Sequence, residues 1–328
     1  MLKDNILRLL LGRSAPLSGQ AMSRELGVSR AAVWKGVEAL RRDGYVIASH
    51  PAKGYLLTAS PDLLSPAELS RPGRAVGGEV VYLEVTDSTN NECKRRAADG
   101  ASSGLVVIAG EQTGGRGRRG RSYQSLPGKG LYLSVLLRPE GSASPEVLSH
   151  FTAWVSVAVC RALEGLTGLP CGIKWTNDIL LGNRKLCGIL CELGLTDDRR
   201  PDYMVVGIGV NVSQTEADFG PELSAIATSL GQHMATPPTR AEAARALLGE
   251  LDRLWGDFPG RQGEYLGEYR TRCLTLGKQV RLIQPDRERL ATALAVNEDF
   301  SLRVRLENGT EENVSSGEVS VRGLEGYV

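Results

Sequence analysis

The chain has 328 residues, of which 41% are hydrophobic and 23% charged, and its formal net charge is +1 at pH 7. These values are ordinary for a globular protein, and no run of about 18 apolar residues predicts a membrane span. Six cysteines without a C-x-x-C pair, and three widely separated histidines, argue against a zinc site, a disulfide framework or a Ser-His-Asp triad. We therefore expect a cytoplasmic protein of two or three domains with buried, reduced thiols.

The first 60 residues are basic, with nine Lys/Arg and four Asp/Glu, whereas the remainder of the chain carries a net charge of −4. Apolar spacing predicts an amphipathic helix near the N-terminus, a second from Ser18 to Gly27, and a third from its N-cap Ser29 to about Arg42. Two helices joined by a short turn, followed by a hairpin, are typical of a winged helix-turn-helix that binds DNA. The alternative is a three-helix scaffold with solvated charges. The candidate DNA-binding residues are Ser29, Arg30, Trp34, Lys35, Arg41 and Lys53.

Three further regions follow this head, which we assign to residues 1–60. Residues 61–78 mix Pro, Gly and Ser and predict a linker with one helical turn. Between residues 79 and 273, strand and helix patterns alternate, which predicts a mixed α/β domain with one substantial sheet. The six strand patterns are EVVYLEV, LVVIAGE, LYLSVLLR, IKW, KLCGILCEL and MVVGIGVNV, and the helical patterns lie at about 88–99, 146–166, 240–256 and 260–272. Residues 274–328 contain short strand patterns and turns only, and predict a small β-barrel. The predicted fold class is α+β and multidomain.

The segment EQTGGRGRRGRSYQ, residues 111–124, is rich in glycine and arginine. GRGRRG matches the dinucleotide-binding fingerprint, but that fingerprint requires a helix directly after it, and Pro127 would interrupt one within two turns. A P-loop is absent as well, because the Gly-Lys pair that follows lacks a glycine five positions earlier. Backbone N–H groups freed by the glycines, together with Arg116, Arg118 and Arg119, favour binding of phosphates or an acyl phosphate. The alternative is a solvated basic loop.

Six segments in the same order along the chain resemble the motifs of biotin protein ligases: DSTNN at 87–91, EQTGGRGRRGRSY at 111–123, GLYLSVLLR at 130–138, KWTNDILL at 174–181, RKLCGILCEL at 184–193 and GIGVNV at 207–212. The head resembles the bifunctional subclass, whose members also repress biotin-synthesis genes. The resemblance covers essentially the whole chain. It departs at Thr176, where the family usually has proline, and at Tyr123, where tryptophan is common.

The resemblance implies a fold and a reaction. The central domain should be similar to class II aminoacyl-tRNA synthetases and biotin ligases, and the C-terminal one to a small SH3-like barrel. Biotin and ATP, with Mg²⁺, should form biotinoyl-5′-AMP, whose acyl group passes to a lysine of biotin carboxyl carrier protein. The mixed anhydride activates the carboxylate, so catalysis rests on positioning and charge without an enzyme nucleophile. The resemblance also implies that a ligand-promoted homodimer binds operator DNA, and no membrane partner is expected.

The matching motifs also imply site residues. Those expected to contact biotin or biotinoyl-AMP are Ser88, Thr89, Asn90, Gln112, Arg116, Gly117, Arg118, Tyr132, Ser134, Lys185 and Gly188. Among them, Arg118 and Lys185 are the expected catalytic residues, because they should contact the acyl phosphate and the reacting phosphate. Those expected to bind ATP are Lys174, Asn177, Asp178 and Asn211, with Asp178 also meeting Mg²⁺ through ATP. Alternatives remain for three of these: helix capping by Ser88, core packing of Tyr132 and a solvated Lys185.

Three hypotheses follow. The first is a bifunctional ligase and repressor, and the second is a ligase whose head no longer regulates transcription. The third is a related enzyme that transfers lipoate or octanoate to protein. The third should lack the helix-turn-helix and usually the GRGRRG loop, so the sequence disfavours it.

Overall fold

The computed structural model describes residues 2–51, 53–70, 72–139, 144–284, 287–315 and 320–323. The chain divides into two compact units, Met1–Ser70 with Thr239–Ala241, and Arg71–Pro238 with Glu242–Val328. None of the helices in the described ranges combines the length and apolar character that crossing a membrane would need. All six cysteines are free, and five of them are buried, as the sequence predicts.

The first unit is a winged helix-turn-helix, as predicted. Its elements are α1 Leu2–Leu10, α2 Gly19–Leu26, α3 Arg30–Arg42, β1 Val46–His50, β2 Gly54–Ala59 and the short α4 Pro66–Leu69. The hydroxyls of Ser18 and Ser29 cap α2 and α3 by accepting the N–H groups of Ala21 and Ala32 at 3.1 and 3.2 Å. Gly27 ends α2 with φ 64°, a conformation that glycine adopts without steric cost. The helices bury one apolar core: Ile6, Leu7, Leu10, Met22, Val33, Val37 and Leu40.

The second unit is built on a seven-stranded mixed sheet. Its strands are β3 Val80–Thr86, β4 Val106–Gln112, β5 Gly130–Leu137, β6 Gly172–Lys174, β7 Asp178–Leu181, β8 Arg184–Leu195 and β9 Pro201–Asn211. They lie in the order β3-β4-β5-β9-β8-β7-β6, with β3 parallel to β4 and the other neighbours antiparallel. The sequence predicts six of these strands. It misses β7, whose four residues DILL are too few to show a periodicity.

The helices that pack against this sheet are α5 Thr89–Ala98, α7 Phe151–Thr167 and α10 Gln262–Arg272. The other helices of this part of the chain are α6 Pro145–Ser149, which packs on α7, α8 Glu216–Leu223 and α9 Arg240–Asp257. The pattern predicted as one helix near 146–166 is two helices that meet at His150. The sequence misses α8 because it contains Gly220, with φ 69°, and Pro221, residues that usually end a helix.

The C-terminal strands form a five-stranded antiparallel sheet in the order β13-β12-β11-β10-β14. Their bounds are β10 Gln279–Ile283, β11 Glu288–Val296, β12 Leu302–Leu306, β13 Glu311–Val314 and β14 Ser320–Gly323. The sequence predicts a barrel here, but the pairings within the described ranges leave β13 and β14 as edges. These edge strands have four residues each and offer few hydrogen bonds for closure.

Candidate active site

A cavity of about 620 Å³ lies in the second unit. Thirteen of the residues that the motifs predict line it: Ser88, Thr89, Asn90, Gln112, Arg116, Gly117, Arg118, Lys174, Asn177, Asp178, Lys185, Gly188 and Asn211. They come from five separate motifs, so the fold brings together what the sequence holds far apart. We call Ser88, Thr89, Asn90 and Gln112 the polar cluster, and Arg118, Lys174 and Lys185 with Asn177 and Asp178 the cationic cluster.

Three residues of the polar cluster, Ser88, Thr89 and Asn90, are buried at the start of α5, and the partly buried Gln112 joins them from the end of β4. Both the backbone N–H and the hydroxyl of Thr89 donate to Gln112 Oε1, at 2.8 and 3.0 Å, and Gln112 Nε2 donates to the Ser125 hydroxyl at 2.8 Å. Ser88 occupies the N-cap position of α5, but its side chain makes no capping hydrogen bond. The capping alternative for Ser88 is therefore wrong, and its hydroxyl is available to the cavity.

Tyr132 and Ser134 lie behind the cavity, in contrast to the expectation that they line it. Both belong to β5, which is buried along its whole length. The Tyr132 hydroxyl donates to the Leu126 carbonyl at 3.0 Å, so this ring is core, as one alternative proposed. Ser134 donates to Asn90 Oδ1 at 2.6 Å and lies 2.7 Å from Thr89 Oγ1. It supports the polar cluster from the sheet side.

Tyr123 lines the cavity, although the motif analysis assigned it no role beyond its departure from tryptophan. Its ring lies against Gly209 of β9, where an added Cβ would come within 2.6 Å of the ring. Glycine at this strand position therefore makes room for the aromatic wall. The Tyr123 hydroxyl donates to Asn211 Oδ1 at 3.3 Å, and its ring meets Tyr132 edge to face. Its place within residues 111–124, the arginine-rich loop, is the signal that identifies it in the sequence.

The loop between β4 and β5 closes on itself by hydrogen bonds. The Gly117 N–H donates to the Arg121 carbonyl at 2.7 Å, and the Tyr123 N–H donates to the Gly115 carbonyl at 2.8 Å. Arg118 extends to the β6–β7 hairpin, where Nη1 donates to Asn177 Oδ1 at 3.0 Å. Burial lowers the pKa of the Arg118 guanidinium, which means that it has lost hydration and gains more from an anionic partner. It stays charged all the same.

The cationic cluster centres on the β6–β7 hairpin and the start of β8. Lys174 and Asp178 are register partners across the hairpin, and Asp178 Oδ1 lies 2.7 Å from Lys185 Nζ. Asn177 Nδ2 donates to the Ile189 carbonyl at 2.8 Å and thereby fastens the turn to β8. The peptide bond from Trp175 to Thr176, at the position of the family's proline, is cis. Lys185 is thus ion-paired and faces the cavity, which disfavours the alternative of a solvated strand-end lysine.

Asn211 lines the cavity, but its side chain is occupied by neighbouring residues. Nδ2 donates to the carbonyls of Thr228 and Lys185 at 2.9 and 3.4 Å, and Oδ1 accepts from Tyr123 and from Gln214 Nε2. The residue expected to contact ATP therefore holds the strand that carries Lys185 and the ring of Tyr123.

The lining is strongly cationic. Seven Lys/Arg side chains contribute to it, including Arg281 of the C-terminal sheet, against the single carboxylate of Asp178. Among the described residues, no group of three or more His, Cys, Asp or Glu side chains is arranged to hold a metal ion. The cavity is therefore suited to a ligand that has several negative charges on one part and neutral hydrogen-bonding groups on another.

Comparisons with known proteins agree with this geometry. Residues 82–211 match the profile of the Biotin/lipoate A/B protein ligase family, residues 3–56 an HTH domain, and residues 275–322 the biotin protein ligase C terminal domain. The bifunctional ligase/repressor BirA of Bacillus spizizenii is 36% identical over 78% of both chains, and that of Escherichia coli is 31% identical over 99% of this chain and 100% of its own. The chain belongs to the bifunctional biotin ligase/repressor family.

The solved structures give the same family at the level of fold. The biotin protein ligase from Aquifex aeolicus, in complex with biotin and ATP, superimposes with a TM-score of 0.64 at 30% identity, covering 75% of this chain and 99% of that one. The ligase profile spans β3 to β9, and the C-terminal profile spans the five-stranded sheet. In this family member, the candidate active site therefore lies in the ligase unit.

The head of this family member presents most of its predicted DNA-binding residues to the surface. Arg30, Lys35 and Lys53 are exposed, and 54% of Trp34 is accessible. Two of the predicted residues have structural tasks, because the Ser29 hydroxyl caps α3 and Arg41 is used within the unit.

Arg41 pairs with Glu38 at 2.7 Å and donates from Nε to the Ile47 carbonyl at 3.1 Å. A further hydrogen bond from Arg41 reaches the Ser49 hydroxyl at 2.8 Å. Arg41 is a predicted DNA-binding residue, but its guanidinium contacts β1 because it lies at the end of α3, close to that strand. It joins α3 to strand β1 of the hairpin.

Proposed function

We propose that this protein is an ATP-dependent biotin protein ligase that forms biotinoyl-5′-AMP and transfers the biotinoyl group to a lysine of biotin carboxyl carrier protein. The observation that carries the proposal is the pairing of a neutral polar cluster with a cationic cluster in one cavity. A ureido ring is uncharged and both donates and accepts hydrogen bonds, whereas a carboxylate and a triphosphate are anions. The similar Aquifex aeolicus ligase was solved with biotin and ATP, which supports the same pair of substrates here.

The first step joins the two anions. A carboxylate oxygen of biotin attacks the α-phosphorus of ATP, the bond to the bridging oxygen breaks, and pyrophosphate leaves. Negative charge grows on the phosphate oxygens, where Lys185 and Arg118 offset it. Asp178 keeps Lys185 Nζ at the cavity wall, and Asn177 does the same for the Arg118 guanidinium.

The second step needs no enzyme nucleophile. The ε-amine of the acceptor lysine attacks the acyl carbon of biotinoyl-AMP, a proton leaves the amine, and AMP departs. The chain's residues hold the intermediate until the acceptor arrives, with the Gly117 backbone and Arg118 at the acyl phosphate. The transfer is accelerated because the acceptor amine and the acyl carbon are held close together in the right orientation.

Mg²⁺ would enter with ATP rather than as a resident metal. It is usually bound through one or two carboxylates together with substrate phosphates, because it gives up its water reluctantly. Asp178 is the one carboxylate among the lining residues, which fits that mode. Lys174 and Asn177 would contact the phosphates beside it, and the ion would neutralise part of their charge.

We also propose that the head represses transcription as a ligand-promoted homodimer on operator DNA. The exposed cations Arg30, Lys35 and Lys53 provide attraction to phosphates, and α3 is the recognition helix. One helix-turn-helix reads about one half-site, so a two-fold dimer and a palindromic operator are required. Biotinoyl-AMP couples to DNA binding if it binds the dimer-competent state more tightly.

Two measurements test these functions. Biotin should support release of pyrophosphate from ATP and labelling of the carrier domain; if lipoate does so and biotin does not, the ligase assignment is overturned. For the head, a non-hydrolysable analogue of biotinoyl-AMP should strengthen both self-association in sedimentation and operator protection in footprinting. If it changes neither, the chain is a ligase whose head does not regulate.

A further inference from the structure

Glu192 lies on β8 outside the cavity wall, yet it accepts hydrogen bonds from three residues in two other parts of the ligase unit. Its oxygens accept from Arg116 Nη2 at 2.9 and 3.1 Å, from Lys94 Nζ at 2.7 Å and from Asn90 Nδ2 at 2.8 Å. Arg116 belongs to the arginine-rich loop, and Asn90 and Lys94 belong to α5. A single carboxylate thus connects the loop, the helix and the sheet.

The carboxylate fixes which way the Asn90 amide points. Asn90 Nδ2 donates to Glu192 and to the Leu190 carbonyl at 3.2 Å, while Oδ1 accepts from the Ser134 hydroxyl at 2.6 Å. A flipped amide would place its oxygen against the Glu192 carboxylate and the Leu190 carbonyl, which both accept hydrogen bonds and cannot donate them. Since Asn90 lines the cavity, Glu192 decides which of its atoms the ligand meets.

The Glu192 carboxylate binds Arg116 through only one nitrogen of the guanidinium, Nη2. Both hydrogen bonds to Glu192 come from Nη2, and no other side-chain hydrogen bond of Arg116 is found in the part of the chain that the structure describes. The guanidinium also lines the cavity, so its remaining donors stay available to an anion there. The backbone of the loop is fastened separately, by the Gly114 N–H that donates to the Asp87 carbonyl at 2.8 Å.

Glu192 keeps its charge in this position. Burial alone would raise the pKa of the Glu192 carboxyl, but the hydrogen bonds from Lys94 and Asn90 and the charges of Lys94 and Arg116 lower it overall. About a fifth of its side chain is accessible, which leaves the pairs less screened than ordinary surface ion pairs. The carboxylate is therefore a constant anchor for Arg116 at neutral pH.

We propose that Glu192 is a positioning residue for biotin recognition, which sets the orientation of the Asn90 amide and fastens Arg116 beside the place of the biotin carboxylate. This role rests on the proposed biotin ligase function. Glu192 is not itself among the residues that line the cavity, so its effect should reach the ligand through Asn90 and Arg116 and appear in biotin binding and in the order of the loop. It should leave the binding of ATP nearly unchanged.

A matched control lies on α5. Glu92 has a side chain of similar burial, and its carboxylate pairs with Arg95 at 2.8 Å and Arg96 at 2.9 Å, neither of which lines the cavity. Glu92→Gln removes two ion pairs of the same helix and reports what a loss of charge does to stability alone.

The experiment compares Glu192→Gln, Glu192→Asp and Glu92→Gln in the full chain. Gln at 192 keeps an acceptor for Asn90 but loses the charge that holds Arg116. We expect it to raise KM for biotin about tenfold, with KM for ATP changed less than about twofold, and to speed tryptic cleavage at the loop arginines of the ligand-free protein. Glu192→Asp should recover part of the biotin KM, and Glu92→Gln should leave it at the wild-type value.

Equal shifts for Glu192→Gln and Glu92→Gln, or a loss of kcat at constant KM for biotin, would overturn the positioning role. Absence of biotin-dependent pyrophosphate release from the wild-type protein would instead overturn the proposed function. The tryptic assay needs no substrate, so it tests the attachment of the loop in either case.

Discussion

The polar cluster is built on regular elements, whereas the arginines of the cavity come mainly from a loop. Ser88, Thr89 and Asn90 are each no more than 4% exposed and stand at the start of α5, supported from β5. Arg116 and Arg118 belong to a turn that is held by a few backbone hydrogen bonds and by side-chain contacts to β8 and the β6–β7 hairpin.

The two kinds of interaction differ in how precisely their partners must be placed. A hydrogen bond to a neutral group weakens steeply with angle and distance, so its partners need positions fixed by helix and sheet. The attraction between charges falls only as the inverse of distance, so a cation on a loop remains useful when it moves slightly. Variants of the polar cluster should therefore change biotin affinity, and variants of the cationic cluster should change the rate of the chemical step and the retention of the intermediate.

The largest effect is expected for Lys185→Ala. The cation is wanted where the α-phosphate gains charge, so its removal should slow adenylation by about 10²- to 10³-fold in single-turnover measurements. KM for biotin should change little, because the polar cluster is intact. Lys129→Ala is the control, since Lys129 pairs with Asp218 at 3.3 Å outside the cavity wall. If Lys185→Ala lowered the adenylation rate and the biotin affinity by the same factor, Lys185 would bind the substrate already in the ground state. The polar and cationic clusters would then not have separate roles in binding and catalysis.

Next in size is Arg118→Gly. Loss of a charge-assisted hydrogen bond to the acyl phosphate should raise the dissociation rate of biotinoyl-AMP by about tenfold or more. The released intermediate should then label lysines on bystander proteins. Rapid-quench measurement of the off-rate decides the matter, with Arg200→Gly, which removes a surface ion pair with Asp198, as the reference. An unchanged off-rate would argue against this role.

A smaller and different effect is expected for Ser134→Ala, behind the polar cluster. It removes the hydroxyl that donates to Asn90 Oδ1 and contacts Thr89, and leaves a buried acceptor unsatisfied. KM for biotin should rise about tenfold while kcat and KM for ATP stay near wild type. Ser65→Ala, which removes the N-cap of α4 in the first unit, should leave all three constants unchanged. If Ser134→Ala lowered kcat and left KM for biotin constant, the polar cluster would act in catalysis and not only in the binding of biotin.

The sequence predicts those parts of the fold that its periodicities encode. Strands such as β4 and β9, and helices such as α5, follow from runs of apolar residues and from the turns between them. Helix α8 does not, because Gly220 and Pro221 are local signals against a helix that the surrounding contacts outweigh. Closure of the C-terminal sheet also depends on pairings between distant strands, which no local pattern specifies.

The candidate site follows the same rule. Spaced motifs predict which residues converge, and thirteen of them line one cavity. Alternation along β5 does not say which of its two buried faces meets a ligand, so Tyr132 and Ser134 were placed in the wall. Glu192 drew no attention because its partners Arg116 and Asn90 lie 76 and 102 positions away along the chain.

The smallest effect concerns Asp87, a charge that lies beside the polar cluster but outside the cavity wall. The Arg95 guanidinium, 2.7 Å away, holds the pKa of the Asp87 carboxyl well below its usual range. A carboxyl whose pKa is depressed by folding adds stability that is present above its unfolded pKa, about 3.9, and is lost as the pH falls toward the folded value. We therefore expect Asp87→Asn to lower the free energy of unfolding at pH 7 only slightly, by well under about 1 kcal/mol, because the Asp87–Arg95 ion pair is about half exposed. The difference from wild type should shrink between about pH 4 and pH 2 in urea unfolding, since the Asp87 carboxyl of the unfolded wild-type chain is progressively protonated there while the folded one keeps its charge. The kinetic constants should stay near wild type, because the variant leaves every lining side chain in place. If Asp87→Asn raised KM for biotin as much as Ser134→Ala, biotin binding by the polar cluster would depend on a nearby charge as well as on hydrogen-bond geometry. The polar cluster and the arginine-rich loop would then differ only in how strongly each depends on charge.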